Sequence, residues 1–423
     1  MVHRYSLKNG ITLICERVPQ AETVSIGLFQ RVGSIHENSS NNGITHFTEH
    51  MLFKGTSAHS ARELARHMDS VGAVFNAYTS RERTCFYGNA LSRHIPMVID
   101  TLREMYYDSI FSAKEIAREK EVILQELLMC EDSPDEVIHD RFLAQLWPDH
   151  SIGFTVTGTE KNIRAMRRDS LIRFFKDHYV TDRLVVSVAG AINPEEIQNA
   201  FALWSERKSP GDHSIPPVPP IAYTIRSQQK PLEQTHLLLA MPGISKTHPR
   251  RYAMSLLNQI WGGSMSSRLF QRLREDKGIC YSIYTFPAMM RETGLFGIYC
   301  ASSHDNLEKV LRFIFRENAL LLSKGVTPEE LACAKEQLRS SWFFGRESAE
   351  SRMNTNASHE LIFGRDIPAR EILAEIDKVG LDDTRAVIDH ILGGHICAAR
   401  TLGPKSALPV LERFFPGSPH AKE

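Results

Sequence analysis

The feature that most constrains this chain of 423 residues is a break near its midpoint. Ser209-Pro210-Gly211-Asp212 and Pro216-Pro217-Val218-Pro219-Pro220 lie close together there. Proline lacks an N–H and fixes φ, so such a cluster can continue neither a helix nor a central strand. It stiffens the chain into an extended spacer. At about 150 residues per domain the length allows two or three domains, and the break selects two. The expected organisation is residues 1–208, a proline-rich linker over 209–224, and residues 225–423.

Both halves read as mixtures of strands and amphipathic helices. Tyr5–Leu7 and Ile11–Cys15 flank Asn9-Gly10, a pair suited to the two positive φ angles of a type I′ hairpin turn. A strand over Val24–Val32 precedes a helix from Gly43 to Phe53. A short helix near 61–70 leads to a strand pair, Val74–Tyr78 and Arg83–Asn89. Helices are expected at 93–108, 112–131, 134–146 and 160–178, followed by a buried strand, Leu184–Ala189, and a helix at 194–206. Ser112 with Glu115 matches a capping box, which marks the start of the second of these helices. The second half repeats the outline. It has a strand at His236–Ala240, a helix at 249–261, a further helix from near Ser266, strands at Tyr281–Phe286 and Gly294–Ala301, and helices at 304–323, 327–340 and 367–375. A last strand spans Ile396–Leu402. The fold class is α+β: two similar α/β-layer domains, each a mostly antiparallel sheet with helices packed on it.

Composition excludes several classes. Lysine plus arginine (50) equals aspartate plus glutamate (50), so nucleic acid is not an expected partner. Seven scattered cysteines without a CxxC are the pattern of free thiols in a reducing compartment. Cys280, beside Tyr281, reads as a buried inert thiol. The opening Met1-Val2-His3-Arg4-Tyr5 goes straight into alternating structure without an apolar leader segment. No run approaches the roughly 18 apolar residues of a membrane-spanning helix. The expectation is a cytoplasmic protein that does not enter a membrane.

His46-Phe47-Thr48-Glu49-His50 carries the chemistry. On a helix, His46 and His50 at i and i+4 share a face and can bind one ion through their imidazoles. Glu49 falls on the same side, placed to take a proton from a metal-activated water without being a ligand. A catalytic zinc needs a third protein ligand and an open position. The helix at 112–131 offers Glu119 and Glu126, two turns and about 10 Å apart along one stripe. That separation lets one be a ligand and the other a supporting residue, and spacing does not choose between them.

The run His46-Phe47-Thr48-Glu49-His50-Met51-Leu52-Phe53-Lys54-Gly55-Thr56 resembles the inverted zinc motif of the pitrilysin and mitochondrial processing peptidase family, the inverzincins. The similarity continues through Asn76-Ala77-Tyr78-Thr79-Ser80-Arg81-Glu82 and Glu119-Lys120-Glu121-Val122-Ile123-Leu124-Gln125-Glu126. In the second half it recurs at Ser266-Ser267-Arg268-Leu269-Phe270-Gln271, Leu273-Arg274-Glu275 and Gly278-Ile279-Cys280-Tyr281-Ser282. The length is that of the short, two-domain members, each half of a clam-shell chamber.

The resemblance implies one zinc ion per chain held by His46, His50 and Glu126, with Glu49 as general base and Glu119 in support. Asn76, Ala77 and Tyr78 would belong to an edge strand that receives an extended peptide, while Phe75 packs inward. Arg274 and Tyr281 would bind the substrate backbone and steady the oxyanion, with Gly278 ending the helix that carries Arg274. In a short member that pair is contributed by the partner subunit. A chain keeping both HxxEH and the Arg…Tyr pair is expected to form a homodimer. The implied function is zinc-dependent hydrolysis of unfolded or extended peptides. The alternative is a non-catalytic structural or assembly subunit of the same fold.

Overall fold

The computed structural model describes residues 2–208, 211, 214–222, 224–394 and 398–416. Ser209, Pro210, Asp212, His213 and Tyr223 of the expected linker lie outside the described residues, as do Ile396 and Cys397. The strands are β1 (Val2–Ser6), β2 (Thr12–Arg17), β3 (Thr23–Gln30), β4 (Val74–Thr79), β5 (Thr84–Leu91), β6 (Leu184–Gly190), β7 (Thr224–Gln229), β8 (Thr235–Pro242), β9 (Ser282–Met289), β10 (Gly294–Ser302) and β11 (Ala398–Gly403). The helices before the proline cluster are α1 (Ile44–Leu52), α2 (Ala61–Asp69), α3 (Ile95–Asp108), α4 (Ala113–Asp132), α5 (Pro134–Leu146), α6 (Glu160–Ala165), α7 (Arg168–His178) and α8 (Pro194–Ala202). Those after it are α9 (Arg251–Trp261), α10 (Leu307–Lys324), α11 (Pro328–Phe344), α12 (Ala349–Phe363), α13 (Ala369–Lys378), α14 (Leu381–Leu392) and α15 (Leu408–Phe414).

Two mixed sheets result. The first has the order β1-β2-β6-β3-β5-β4 and the second β7-β11-β8-β10-β9. In the first, β2 and β6 are parallel and every other pair is antiparallel. In the second, β7 and β11 are the parallel pair. Setting β1 aside, the two sheets share one topology, in which the first and last strands of each set lie parallel and the next three follow antiparallel. That shared wiring is the structural duplication the two halves suggest.

The chain groups into two compact units, each drawing on both halves of the sequence. One unit is Met1–Met129, Phe154–Pro217 and Phe344–Asp366; the other is Cys130–Gly153, Val218–Phe343 and Ile367–Glu423. Helix α12 therefore lies on the first sheet, against β6, β3 and β2, and α5 lies on the second, against β8 and β11. Strand β6 shows why the first sheet needs this cover. Leu184, Val186 and Val188 enter the main core on one face, while Val185 and Ala189 join Met353 and Ala357 of α12 on the other. Strands buried on both faces read as near-continuous apolar runs, as Leu-Val-Val-Ser-Val-Ala does here.

Polar pairs secure both helices. Glu16 on β2 receives Arg346, Arg352 and Asn356 at 2.6–2.7 Å, and Arg4 forms a two-pronged pair with Glu360 at 2.9 Å. On α5, the Gln145 amide donates to Thr224 O and Ala399 O and accepts from Arg400.

Several local expectations change. The first hairpin forms in register from Val2↔Glu16 to Ser6↔Thr12, but its turn is not type I′. Gly10 takes φ +91° while Asn9 keeps a negative φ. Asn9 is instead buried, its amide donating to Phe201 O and Trp204 O at 2.9 Å. The single helix expected over 160–178 is two helices, because Met166 leaves helical geometry (ψ 130°) and sinks into the core. Strand β7 and helices α12, α14 and α15 are present in addition to the expected elements. The six described cysteines form no disulfide, and Cys280 is buried. No described helix is long and apolar enough to cross a membrane.

Candidate metal centre

Helix α1 buries Ile44, Phe47, Met51 and Leu52 in the first unit's core, which leaves His46, Glu49 and His50 on its other, partly open side. Its start is unusually well secured. Gly43 sits at φ +99°, where a Cβ would fall 2.9 Å from Gly158 Cα, so only glycine fits. Glu37, 6% exposed, folds back over the helix end. One of its oxygens accepts from Gly43 N and Asn42 Nδ2, and the other from Thr45 N, all at 2.8 Å. A carboxylate there also meets the positive end of the helix dipole. Burial pushes the Glu37 carboxyl above its usual range, and these donors pull it back.

The two imidazoles converge, with Nε2 of His46 and Nε2 of His50 at 3.3 Å. Glu126 Oε2 stands 3.8 Å from the first and 3.6 Å from the second. One ligand atom from each residue lies within 4.8 Å of the others, and among the described residues no other cluster of three such groups meets that test. Glu119 takes a different place. Its Oε2 meets His50 Nδ1 at 3.0 Å, on the side of the ring away from His46, and its Oε1 meets Lys54 Nζ at 2.8 Å. The geometry thus separates two glutamates that spacing left equivalent: Glu126 faces the imidazole nitrogens, and Glu119 orients a ring from behind.

Two nitrogens and a carboxylate oxygen suit zinc. Burial, helped by His50, pushes His46 down to about 4, so its ring is neutral, as a ligand must be. Burial also disfavours a proton on His50, but the hydrogen bond to Glu119 and the Glu126 and Glu49 charges outweigh it and raise its pKa. The pocket attracts positive charge to its centre. His46 Nδ1 is buried without a partner among the described residues.

Glu49 accepts a hydrogen bond from the Thr79 hydroxyl. Burial pushes its carboxyl above the usual range, opposed by Thr79 and His50 and reinforced by Glu126. A carboxyl raised in this way is better matched to a proton-transfer role near neutrality. Thr79 lies on β4, at the edge of the first sheet. Alternate residues of that strand, Phe75 and Ala77, pack on the α1 side. Asn76 is exposed, and its side chain accepts from Ala77 N at 2.8 Å. Tyr78 points to the opposite face, its hydroxyl donating to Asn354 of α12 at 3.1 Å and its ring beneath Arg83. Its side chain is therefore a packing element, and only its backbone lies along the edge.

Arg274 and Tyr281 come together in the second unit. The Arg274 guanidinium lies 4.8 Å from the Phe270 ring centre and 5.8 Å from that of Tyr281. Gly278 ends the helical segment at φ +58°, its N–H donating to Arg274 O. Tyr281 N donates to Ala301 O, and its side chain is 73% exposed. Sequence reasoning missed Glu37, Thr79 and Lys54 as parts of the site. Thr79 and Lys54 sit inside the quoted motifs, and Glu37 offered no local signal.

Comparison with known proteins follows the same division. The family model described as insulinase (peptidase family M16) matches residues 12–160, and that described as the peptidase M16 inactive domain matches residues 165–338. A Bacillus subtilis protein named uncharacterized zinc protease YmxG is 37% identical over 382 residues, covering 90% of this chain and 93% of that protein. A Rickettsia felis protein named uncharacterized zinc protease is 34% identical, covering 94% of this chain and 96% of its own. Two solved structures share the fold. A peptidase M16 inactive domain from Pseudomonas fluorescens superimposes with TM-score 0.88 at 21% identity, covering 96% of this chain and 98% of its own. A protease from Helicobacter pylori gives TM-score 0.88 at 18% identity, with 96% and 99% covered.

Proposed function

The chain belongs to peptidase family M16, the insulinase family, and on that footing we propose that it is a zinc-dependent endopeptidase acting on unfolded or extended peptides. The observation that carries this reading is the convergence of His46, His50 and Glu126 with Glu49 beside them. Relatives named zinc proteases support it.

His46, His50 and Glu126 would hold one zinc ion per chain. Zinc bound there supplies Lewis acidity, polarising a peptide carbonyl and easing loss of a proton from water. Glu49 takes that proton and returns it to the leaving amine, its rotamer fixed by Thr79. Glu119 fixes the tautomer of His50, so that Nδ1–H points back at the carboxylate and Nε2 is left free. The peptide backbone pairs with the open edge of β4 at Asn76, Ala77 and Tyr78, since an unpaired strand edge accepts any extended chain. Arg274 and the exposed Tyr281 hydroxyl donate to the substrate backbone and to the charge growing on the carbonyl oxygen.

One chain carries both sets of residues, which supports a homodimer with composite sites inside a two-subunit chamber, and its free cysteines fit a cytoplasmic setting. The purified chain should cleave internally quenched, unstructured peptides, lose that activity to a chelator and regain it with zinc. A folded, zinc-replete chain that cleaves none of them overturns the proposal. The match of residues 165–338 to a domain described as inactive favours a second reading, a structural or assembly subunit. Folded protein with a zinc content near zero would favour it.

A further inference from the structure

The segment that carries Arg274 is wound in a rare form. Phe270–Glu275 takes a π-helical turn, with Asp276 N–H donating to Gln271 O at 2.8 Å. Such turns are uncommon and concentrate at functional sites, and contacts outside the turn must hold one in place. Relaxing it to an α-turn would rotate the following side chains by about 100° around the helix axis. Arg274 would then leave its place against Tyr281.

Three arginines line this segment. Arg268 makes a two-pronged pair with Glu330, at 2.7 and 2.6 Å, and donates to Gly325 O at 3.0 Å. Arg272 Nη1 stands 2.7 Å from Glu317 Oε1 on α10. Arg274 has no carboxylate partner among the described residues and rests on the Phe270 and Tyr281 rings. The two acids are thus committed to the first two arginines, and the third is left free.

Glu317 is the unusual member. It is 0% exposed on a helix whose neighbouring Ile314 and Leu321 are core residues. Among the described residues neither carboxylate oxygen receives a hydrogen bond, and Arg272, itself 44% exposed, is its ion-pair partner. A buried charge with so few donors is poor packing material, and an apolar residue of similar volume would serve the core as well or better. What the pair does accomplish is to tie the middle of the π turn to α10, two residues from Arg274.

We propose that Glu317 is a positioning residue: by holding Arg272 it keeps the π turn from relaxing and so aims Arg274 at the substrate. This inference rests on the reading of Arg274 as a substrate-binding residue. The test is a double-mutant cycle of Glu317→Gln with Arg274→Ala, measured on a quenched peptide with zinc content and melting temperature recorded for each chain. In the wild-type background Glu317→Gln should lower kcat/KM about 10-fold with zinc near one per chain, and in the Arg274→Ala background by less than about 2-fold. Arg272→Gln, approached from the half-exposed side of the pair, should give the same pattern and stands in should Glu317→Gln not fold. Equal losses in both backgrounds would overturn the positioning role while leaving Arg274 its function. If Arg274→Ala alone costs nothing, the reading of Arg274 falls, and the inference with it.

Discussion

Glu119→Gln separates the two glutamates of α4 by experiment. Glu119 is 3% exposed and holds His50 Nδ1 at 3.0 Å and Lys54 Nζ at 2.8 Å, without facing the imidazole Nε2 atoms. Glutamine keeps an acceptor oxygen for Nδ1–H, so the His50 tautomer survives and only the charge is lost. Partners of this kind are worth about 10- to 100-fold in metal affinity, or about 1.4–2.8 kcal/mol. Glutamine should fall at the lower end of that range and Glu119→Ala, which removes the acceptor as well, at the upper end. Lys54 is 30% exposed and can turn to water, so the fold should tolerate the change. Glu126→Gln removes an oxygen that faces both imidazoles and should weaken zinc binding more than either. Competition against a chromophoric chelator gives the three constants. The assignment is refuted if Glu119→Gln binds zinc as tightly as the wild type, or if it loses zinc while Glu126→Gln keeps it.

Three further outcomes follow from the geometry. Glu37→Ala strands two backbone N–H groups at the start of α1 and one N–H of the Asn42 amide, whose other bond, to Thr155 O, remains. It should cost about 2–4 kcal/mol, visible as a lower melting temperature and weaker zinc binding, and an unchanged melt would contradict the capping role. Glu16 is held below its usual pKa: burial opposes this, but Asn356, Arg346 and Arg352 outweigh it. Its stabilisation is complete above the ordinary glutamate pKa and is lost as pH falls through the depressed folded-state value. Wild type should therefore exceed Glu16→Gln in stability at neutral pH and converge with it in acid, whereas a gap independent of pH would refute the pairing. Finally, chains carrying Glu49→Gln mixed with chains carrying Arg274→Ala should recover activity if each site takes Arg274 from the partner. No recovery after confirmed subunit exchange would exclude sharing in trans.

The parts of the site that were legible in the sequence are those encoded over short distances. His46, Glu49 and His50 declare themselves because one helical turn brings i and i+4 together. Choosing Glu126 over Glu119 needed the family resemblance, since both lie on one stripe, and in space they differ by which side of the His50 ring they meet. Glu37 and Thr79 act through a helix end and a strand edge that exist only after folding, so no spacing reveals them. Helix α12 was missed because its buried positions include Asn356 and Glu360, satisfied by Glu16 and Arg4 more than 300 positions away in the chain. Distant partners likewise tie α5 to the second sheet, through Gln145 with Ala399 and Arg400. At Asn9-Gly10 the pair marks the hairpin correctly, but Asn9 is drawn into the core by Phe201 O and Trp204 O and does not adopt the positive φ that a type I′ turn requires.

Whether Glu49 moves the proton at a zinc held by other residues is decided by measuring zinc per chain and turnover of a quenched peptide for wild type and Glu49→Gln side by side. About one zinc ion is expected in each, with turnover in the variant reduced by a factor on the order of 100 to 10,000. Normal turnover by Glu49→Gln, or folded wild-type protein with no zinc, would contradict it.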